Sequence, residues 1–422
     1  MKVLLPAFLV SSALQANAAG LWLYEQGSSD MGLSAAGRAA LGRDASTAGN
    51  NPAAMTRLTQ NQSTASLLLL DVSSKFSINS SSDPISSPLG TGNGGDAGDL
   101  VPAGGISYVH VLNEKVRIGM AFGSYFGLGL AYDNDWAGRY FVQEAELLTM
   151  GLNPSVGYRV NDQLSIGGGI AVVYGDLSQD VAVNNVIPGQ TDGRLSLESD
   201  DVGYGFNLGL LYEFSPSTRL GLTYRSEIDL KFDDAAKLSN VLPPLSTAIN
   251  AAGLTNSPVG LEMSVPQAIM FSAFHQLDET WALTGNIGWQ EWSKFGESSI
   301  LIGSSSPTTL VSDRQFEDTW HIALGALYHW SEKVTVSAGV GYDESPVSGQ
   351  NRTLDLPLDR QVRISTGVQY QLNPTTEIGV AYSYIDLGDA AVNQSRPLGG
   401  TVQGDYSTNR IHALGGNISW RF

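Results

Sequence analysis

Five histidines, His110, His275, His321, His329 and His412, are the side chains in this sequence best suited to proton transfer or metal ligation. His321 and His329 share one face if their segment is a strand. Eight residues at ~3.3 Å each then separate them too far for one metal ion. The others stand isolated. The chain has no cysteine, which removes thiolate nucleophiles, disulfides and iron–sulfur clusters. It has no H-E-x-x-H, no G-x-S-x-G and no G-x-x-x-x-G-K run. Gly90-x-Gly92-x-x-Gly95 matches a nucleotide fingerprint only as text, because no strand-to-helix context surrounds it. The motifs therefore call for no metal, no cofactor and no enzyme. A hydrolase that assembles serine and histidine across strands is the catalytic reading they leave open.

The elements that would carry these residues are strands. Leu164, Ile166, Gly168, Ile170, Val172 and Tyr174 alternate with Ser165, Gly167, Gly169, Ala171 and Val173. Val334 to Tyr342 and Ile378 to Tyr384 repeat the pattern. Such alternation gives a strand two different faces, as in a soluble sandwich or a membrane barrel. Short polar turns at Asn113-Glu114, Asn161-Asp162, Ser215-Pro216, Asp278-Glu279, Ser331-Glu332 and Asn373-Pro374 punctuate the chain. Each interval holds two long strands and one loop, so six turns and two flanking strands make fourteen. The longer loops are expected at roughly 72–103, 131–138, 178–200, 232–258, 296–314, 345–358 and 388–405. Tyr158, Tyr212, Tyr328, Trp330 and Tyr370 lie beside the tight turns, as a girdle at a membrane interface requires. The last strand alternates Leu414, Gly416, Ile418, Trp420 and Phe422. The sequence thus predicts an all-β, 14-stranded antiparallel outer-membrane β-barrel.

Three parts follow. Residues 1–18 read as a secretory signal peptide: Met1-Lys2, an apolar run, then Ala16-Asn17-Ala18 with the cut after Ala18. Residues 19–60 do not alternate and are rich in Gly, Ala and Ser. They suit either a plug inside the lumen or a disordered leader; Asn51-Pro52-Ala53 favours an ordered turn. Residues 61–422 form the barrel. Net charge is −18, from 23 basic and 41 acidic residues, which makes nucleic acid a poor partner.

The order of several short motifs resembles the FadL-type family of outer-membrane long-chain fatty acid and aromatic hydrocarbon transporters. Asp44-Ala45 with Asn51-Pro52-Ala53 resembles its plug signature. Gly123 with Phe126-Gly127-Leu128, and then Trp136-Ala137-Gly138-Arg139-Tyr140, resembles its third strand and the loop after it. Tyr224-Arg225-Ser226-Glu227, Tyr342-Asp343-Glu344-Ser345-Pro346-Val347 and Leu358-Asp359-Arg360 resemble later motifs. The Ser/Gly-rich first loop, near Ser80 to Asp99, aligns with none of them. The resemblance implies a plug, capture of a hydrophobic ligand at the outer surface, a pocket above the plug, and sideways exit at a kinked third strand. It also implies a monomer. Outer-membrane lipid, lipopolysaccharide and, through terminal Phe422, the barrel assembly machinery are the implied partners.

By alternation, Arg117, Gly119, Gly123, Tyr125, Gly127 and Gly129 are expected on the luminal face of the third strand. The glycines allow either a kink or room for the plug. A buried carboxylate headgroup needs a cation, and luminal parity nominates Arg225, Arg363, Arg159 and Arg117. The competing reading pairs these arginines with luminal carboxylates such as Glu227 or Asp229. Passive transport of fatty acids is the leading function. Transport of monoaromatic hydrocarbons, a general porin and a barrel-embedded lipid hydrolase are the alternatives.

Overall fold

The computed structural model describes residues 21–22, 30–82, 90–185, 187–251, 258–302, 308–396 and 399–422. The segment read as a signal peptide, with its expected cleavage site, lies outside these residues. Fourteen antiparallel strands close into one barrel: β1 (Gln62–Ser82), β2 (Leu100–Val111), β3 (Val116–Ala131), β4 (Glu144–Arg159), β5 (Leu164–Val183), β6 (Gly193–Ser215), β7 (Thr218–Arg225), β8 (Ala268–Gln276), β9 (Trp281–Gln290), β10 (Thr319–His329), β11 (Val334–Asp343), β12 (Gln361–Asn373), β13 (Thr376–Asp386) and β14 (Gly400–Arg421). Closure is made by β1 on β14, running from Gln62↔Arg421 to Ser82↔Thr401. A closed ladder leaves the hydrocarbon no open sheet edge to solvate.

All six tight turns fall where the sequence put them. The outward positions are apolar: Ile166, Ile170, Leu324, Val340, Val380 and Leu414 are exposed on the barrel wall. Their neighbours Ser165, Ala171, Ser337 and Ala413 face inward and are buried. Tyr108 and terminal Phe422 stack with ring centroids 6.0 Å apart where the last strand meets the first ones.

On the other side the first, third and seventh loops are shorter than expected and the other four are longer. β1 continues to Ser82, β5 to Val183, and β6 resumes at Gly193, so the third loop is only 184–192. These extensions stand beyond the hydrocarbon. There the outer face carries Ser, Asp and Lys, so a search for outward apolar residues stops too early. The connection after β7 was expected to hold a loop over 232–258. It instead contributes Ile228–Ala235 and Pro258–Val265 to a separate four-stranded sheet with Glu297–Ile302 and Thr308–Asp313. Phe232, Leu261, Met263, Phe295 and Trp136 belong to the large buried apolar cluster beneath these loops.

Residues 30–58 lie inside the barrel, mostly buried against its inward wall residues. They form two 3₁₀ turns, Met31–Leu33 and Pro52–Arg57, and one short helix, Thr47–Asn50. Pro at the first position of the second turn and the Asn51 side chain accepting from Ala53 N fix its start. Small inward residues on the wall let this segment come close. A Cβ on Gly221 would lie 2.0 Å from Ala39 O, and one on Gly339 would lie 2.1 Å from Leu33 C.

Candidate functional site

Two places in the barrel differ from a plain wall: the contact between the wall and residues 30–58, and the seam between β2 and β3.

Arginines dominate the first. Arg117 Nε donates to Leu58 O at 2.8 Å. Arg159 Nη2 donates to Thr56 O. Arg219 donates through Nε to Ala40 O at 2.6 Å and through Nη2 to Leu41 O at 3.0 Å. Arg225 Nη2 donates to Gly49 O at 2.8 Å. A backbone that folds into short turns leaves carbonyls unbonded, and a guanidinium can satisfy two of them at once. Arg363 differs: it is buried against Asp343 and Gln361, and Asp343 also meets His321 Nδ1 at 3.0 Å. Carboxylate pairing therefore applies to Arg363, through Asp343. Arg225 points to the luminal segment, while Asp229 accepts from Ser264 Oγ. With Arg38 and Asn50, Arg225 also lines a cavity of about 30 Å³.

Asn51 is fully buried. Its Nδ2 donates to Ala39 O at 2.6 Å and to Leu210 O at 3.2 Å. It ties the two halves of the luminal segment to β6. Pro52 and Ala53 beside it are buried against β5, where a Cβ on Gly167 would lie 2.5 Å from Ala53 N. Ion pairs Arg57–Glu213 and Arg43–Glu377 (3.3 Å) join the same segment to β6 and β13.

The second place is an opening. β2 and β3 pair from Val111↔Arg117 up to Gly105↔Gly123 and then separate. On its other side β3 stays on β4, with a register shift between Ser124 and Phe126. This bulge corrects the alternation reading. Gly119 does face the lumen, where a Cβ would lie 2.4 Å from Met55 Sδ. Past the bulge the parity reverses. Gly127 pairs with outward Leu148, and Leu130, not Gly129, is buried. A Cβ on Gly129 would meet nothing within 4 Å, so it makes no room for the luminal segment. One extra residue in a bulge exchanges the faces of everything after it. Gly123 sits at the branch point, and the backbones of Phe126 and Leu128 pair with Thr149 and Leu147.

The separated strands bound a cavity of about 470 Å³ lined by Leu67, Val101, Ile106, Phe122, Gly127 and Met150 among others. That is the size of a small-molecule site, and it opens between lipid-facing side chains. A smaller cavity behind it reaches Ser46, Gly49 and Asn50 of the luminal segment and shares Ser66, Gly105, Phe122 and Ser124 with the opening. Past Gly123 the side of β3 that leaves β2 pairs instead with Leu21 and Trp22, at Gly127 and Phe126.

Above the luminal segment, the loops bury polar groups that the motifs did not single out. Arg314 meets Asp355 at 2.8 Å and Thr353 Oγ1 at 2.7 Å. Arg396 lies over the Phe141 ring, 5.0 Å from its centroid. Burial pulls Arg396 down to about 10, with Arg314 pushing the same way and Asp355 opposing. Tyr132 stacks on Trp136 at 4.0 Å, and its hydroxyl and that of Tyr406 both donate to Leu354 O at 2.9 Å. Burial raises the Tyr132 hydroxyl above its usual range. A strand-by-strand reading has no access to such pairs, because they join loops distant in sequence. Trp136 and Arg139 lie in the WAGRY run singled out from sequence.

A closed fourteen-stranded antiparallel barrel, apolar outside, is the class of a bacterial outer-membrane protein. A family model described as "Outer membrane protein transport protein (OMPP1/FadL/TodX)" matches residues 9–422, and the chain belongs to that family. It is 30% identical over 408 residues to the "Long-chain fatty acid transport protein" of Salmonella typhi, covering 90% of each chain. It is 29% identical over 400 residues to the protein of the same name from Escherichia coli O6:H1, covering 88% and 87%. "Outer membrane protein P1" of Haemophilus influenzae is 26% identical over 419 residues, covering 90% and 89%. The fold is that of a Pseudomonas aeruginosa FadL homologue, with a TM-score of 0.88 at 22% identity over 96% of this chain and 100% of that one. It is also that of the P. putida toluene transporter TodX, with a TM-score of 0.69 at 16% identity over 97% and 99%. This chain is an outer-membrane transport protein of the bacterial cell, in a family that handles hydrophobic compounds, and not an enzyme.

Proposed function

We propose that this protein carries hydrophobic compounds, long-chain fatty acids first among them, from the cell surface into the outer membrane. The ligand is caught at the loops, passes to the space above residues 30–58, which act as the plug, and leaves sideways between β2 and β3. The observation that carries this reading is the 470 Å³ opening between those strands. An apolar ligand gains little from a water-filled pore. Through a lateral opening it transfers directly to hydrocarbon, at about 0.8 kcal/mol per methylene.

Fatty acid is preferred over monoaromatic hydrocarbon for two reasons. The sequence relatives near 30% identity carry fatty acid names. Arg225 also lines a cavity beside the plug, where a carboxylate could meet it. Arg117, Arg159 and Arg363 support the plug and the wall in this reading. Phe422, exposed at the chain end, is the signal for barrel assembly.

The test is uptake of labelled oleate and labelled toluene by cells that lack their own transporter. Oleate uptake that falls in Gly127→Val, with the barrel inserted, supports the reading. The added side chain would enter the opening, with Leu147 O 3.6 Å from its Cβ. Full oleate uptake in Gly127→Val overturns lateral exit. Toluene uptake without oleate keeps the route and changes the substrate.

A further inference from the structure

We infer that Pro102 is the positioning residue that keeps the seam between β2 and β3 from closing, an inference that rests on the lateral exit proposed above. Pro102 is exposed on β2 and pairs with Leu69 of β1. In an antiparallel ladder the backbone groups of alternate residues point to opposite neighbours. Val72 N donates to Asp99 O, so odd-numbered residues of β2 bond to β1. Leu112 N donates to Val116 O, so even-numbered residues bond to β3. No register shift intervenes in either ladder of β2. The nitrogen of Pro102 therefore faces the opening, and it carries no hydrogen.

The neighbouring positions agree. Leu100, two residues away on the same edge, has its N–H taken by the Asp99 carboxylate at 2.7 Å. Proline and local side-chain caps are the usual means of making a strand edge unable to pair. A contrast inside the same barrel sharpens the point. Pro154 in β4 also interrupts a ladder, between Leu152↔Val172 and Ser155↔Gly169. There the Asn153 side chain donates to Ile170 O at 2.9 Å, and the strands stay together. At Pro102 the facing strand turns away at its bulge. The opening is thus encoded on both sides: β3 bulges, and β2 offers it no free N–H at Leu100 or Pro102. With a donor restored, β2 could compete with Leu21 and Trp22 for the edge of β3 past Gly123 and narrow the exit.

The experiment compares Pro102→Val and Pro102→Ala, which both restore an N–H, in the full-length chain in cells. A second measurement uses Ser124→Cys, the single thiol in a chain without cysteine, which lines the opening and accepts a bulky maleimide. The expected result has two parts. Initial oleate uptake falls about fivefold in both proline variants, the shift made by one net backbone hydrogen bond. The amide at position 102 of the purified barrel also exchanges slowly. Added to a barrel already blocked by maleimide, Pro102→Val lowers uptake no further. Maleimide block with undiminished uptake in both proline variants overturns the role of Pro102 and leaves lateral exit standing. Labelling that leaves uptake unchanged overturns lateral exit, and the inference with it.

Discussion

Arg219 sets its guanidinium 3.6 Å from the centre of the Phe274 ring while its Nε donates to Ala40 O at 2.6 Å. One wall residue thus holds the luminal segment by its backbone and is itself held by the next strand. Arg219→Met keeps most of the packing and removes both carbonyl bonds. Hydrogen bonds to a charged group contribute about 1.5–3 kcal/mol each, and a buried carbonyl left alone adds its own cost. The variant should unfold at lower temperature in detergent. It should also show current bursts in planar bilayers that the parent lacks, as residues 30–58 loosen.

Steric exclusion gives an independent test of the same contact. Gly221→Val places its Cβ 2.0 Å from Ala39 O, a backbone atom that cannot yield without moving the segment. Gly129→Val meets nothing within 4 Å. The first substitution should lower stability by about 1–3 kcal/mol or more and raise bilayer conductance. The second should match the parent in thermal unfolding. Equal behaviour of the two variants would show that the close approach at Gly221 has no energetic consequence.

Asn51 offers the sharpest substitution inside the segment. It donates to Ala39 O and Leu210 O and accepts from Ala53 N. Asn51→Ala removes all three bonds, at about 1–3 kcal/mol for a buried group left unpaired. Asn51→Asp keeps the acceptor but exchanges the donors for a buried charge facing two carbonyls, and should be worse. Thermal unfolding should rank the parent above Asn51→Ala and Asn51→Asp last.

The strand count and the six tight turns were legible because each strand faces two different media, so alternation survives along its whole membrane span. The luminal arginines were legible as inward residues, but not their partners. Carbonyls of a non-alternating segment leave no trace in side-chain periodicity, so Arg219 was passed over and Arg225 was weighed only against carboxylates. The bulge after Ser124 was invisible for a related reason. Glycine fits either face, so Gly127 and Gly129 read as luminal when one inserted residue had already exchanged the faces. Pro102 stood in plain view. Its meaning needed the hydrogen-bonding parity of two ladders, which only paired strands reveal.

The Ser/Gly-rich first loop aligns with no family motif, yet its second half is tied down by one carboxylate. Asp96 accepts from Ser73 Oγ and Ser74 N, each at 2.7 Å, and from Gly98 N at 3.3 Å, with Lys75 3.6 Å away. Partial burial pushes its pKa up, but these donors and the lysine outweigh it and hold the carboxyl below its ordinary value. A depressed pKa in the fold means that the unfolded loop takes up protons first as pH falls. The contribution of Asp96 is therefore complete above about pH 4, the ordinary carboxylate value, and is lost as pH drops through the lower folded value. Amide exchange at Ser74 and Gly98 should stay slow, after correction for intrinsic rates, from pH 7 down to about 4 and rise below it. In Asp96→Asn the same amides should already exchange fast at pH 7. The rise at low pH, measured against the parent's, should then disappear. A loop that loosens near pH 6 instead would place the responsible group elsewhere, since no carboxylate held low by its donors titrates there.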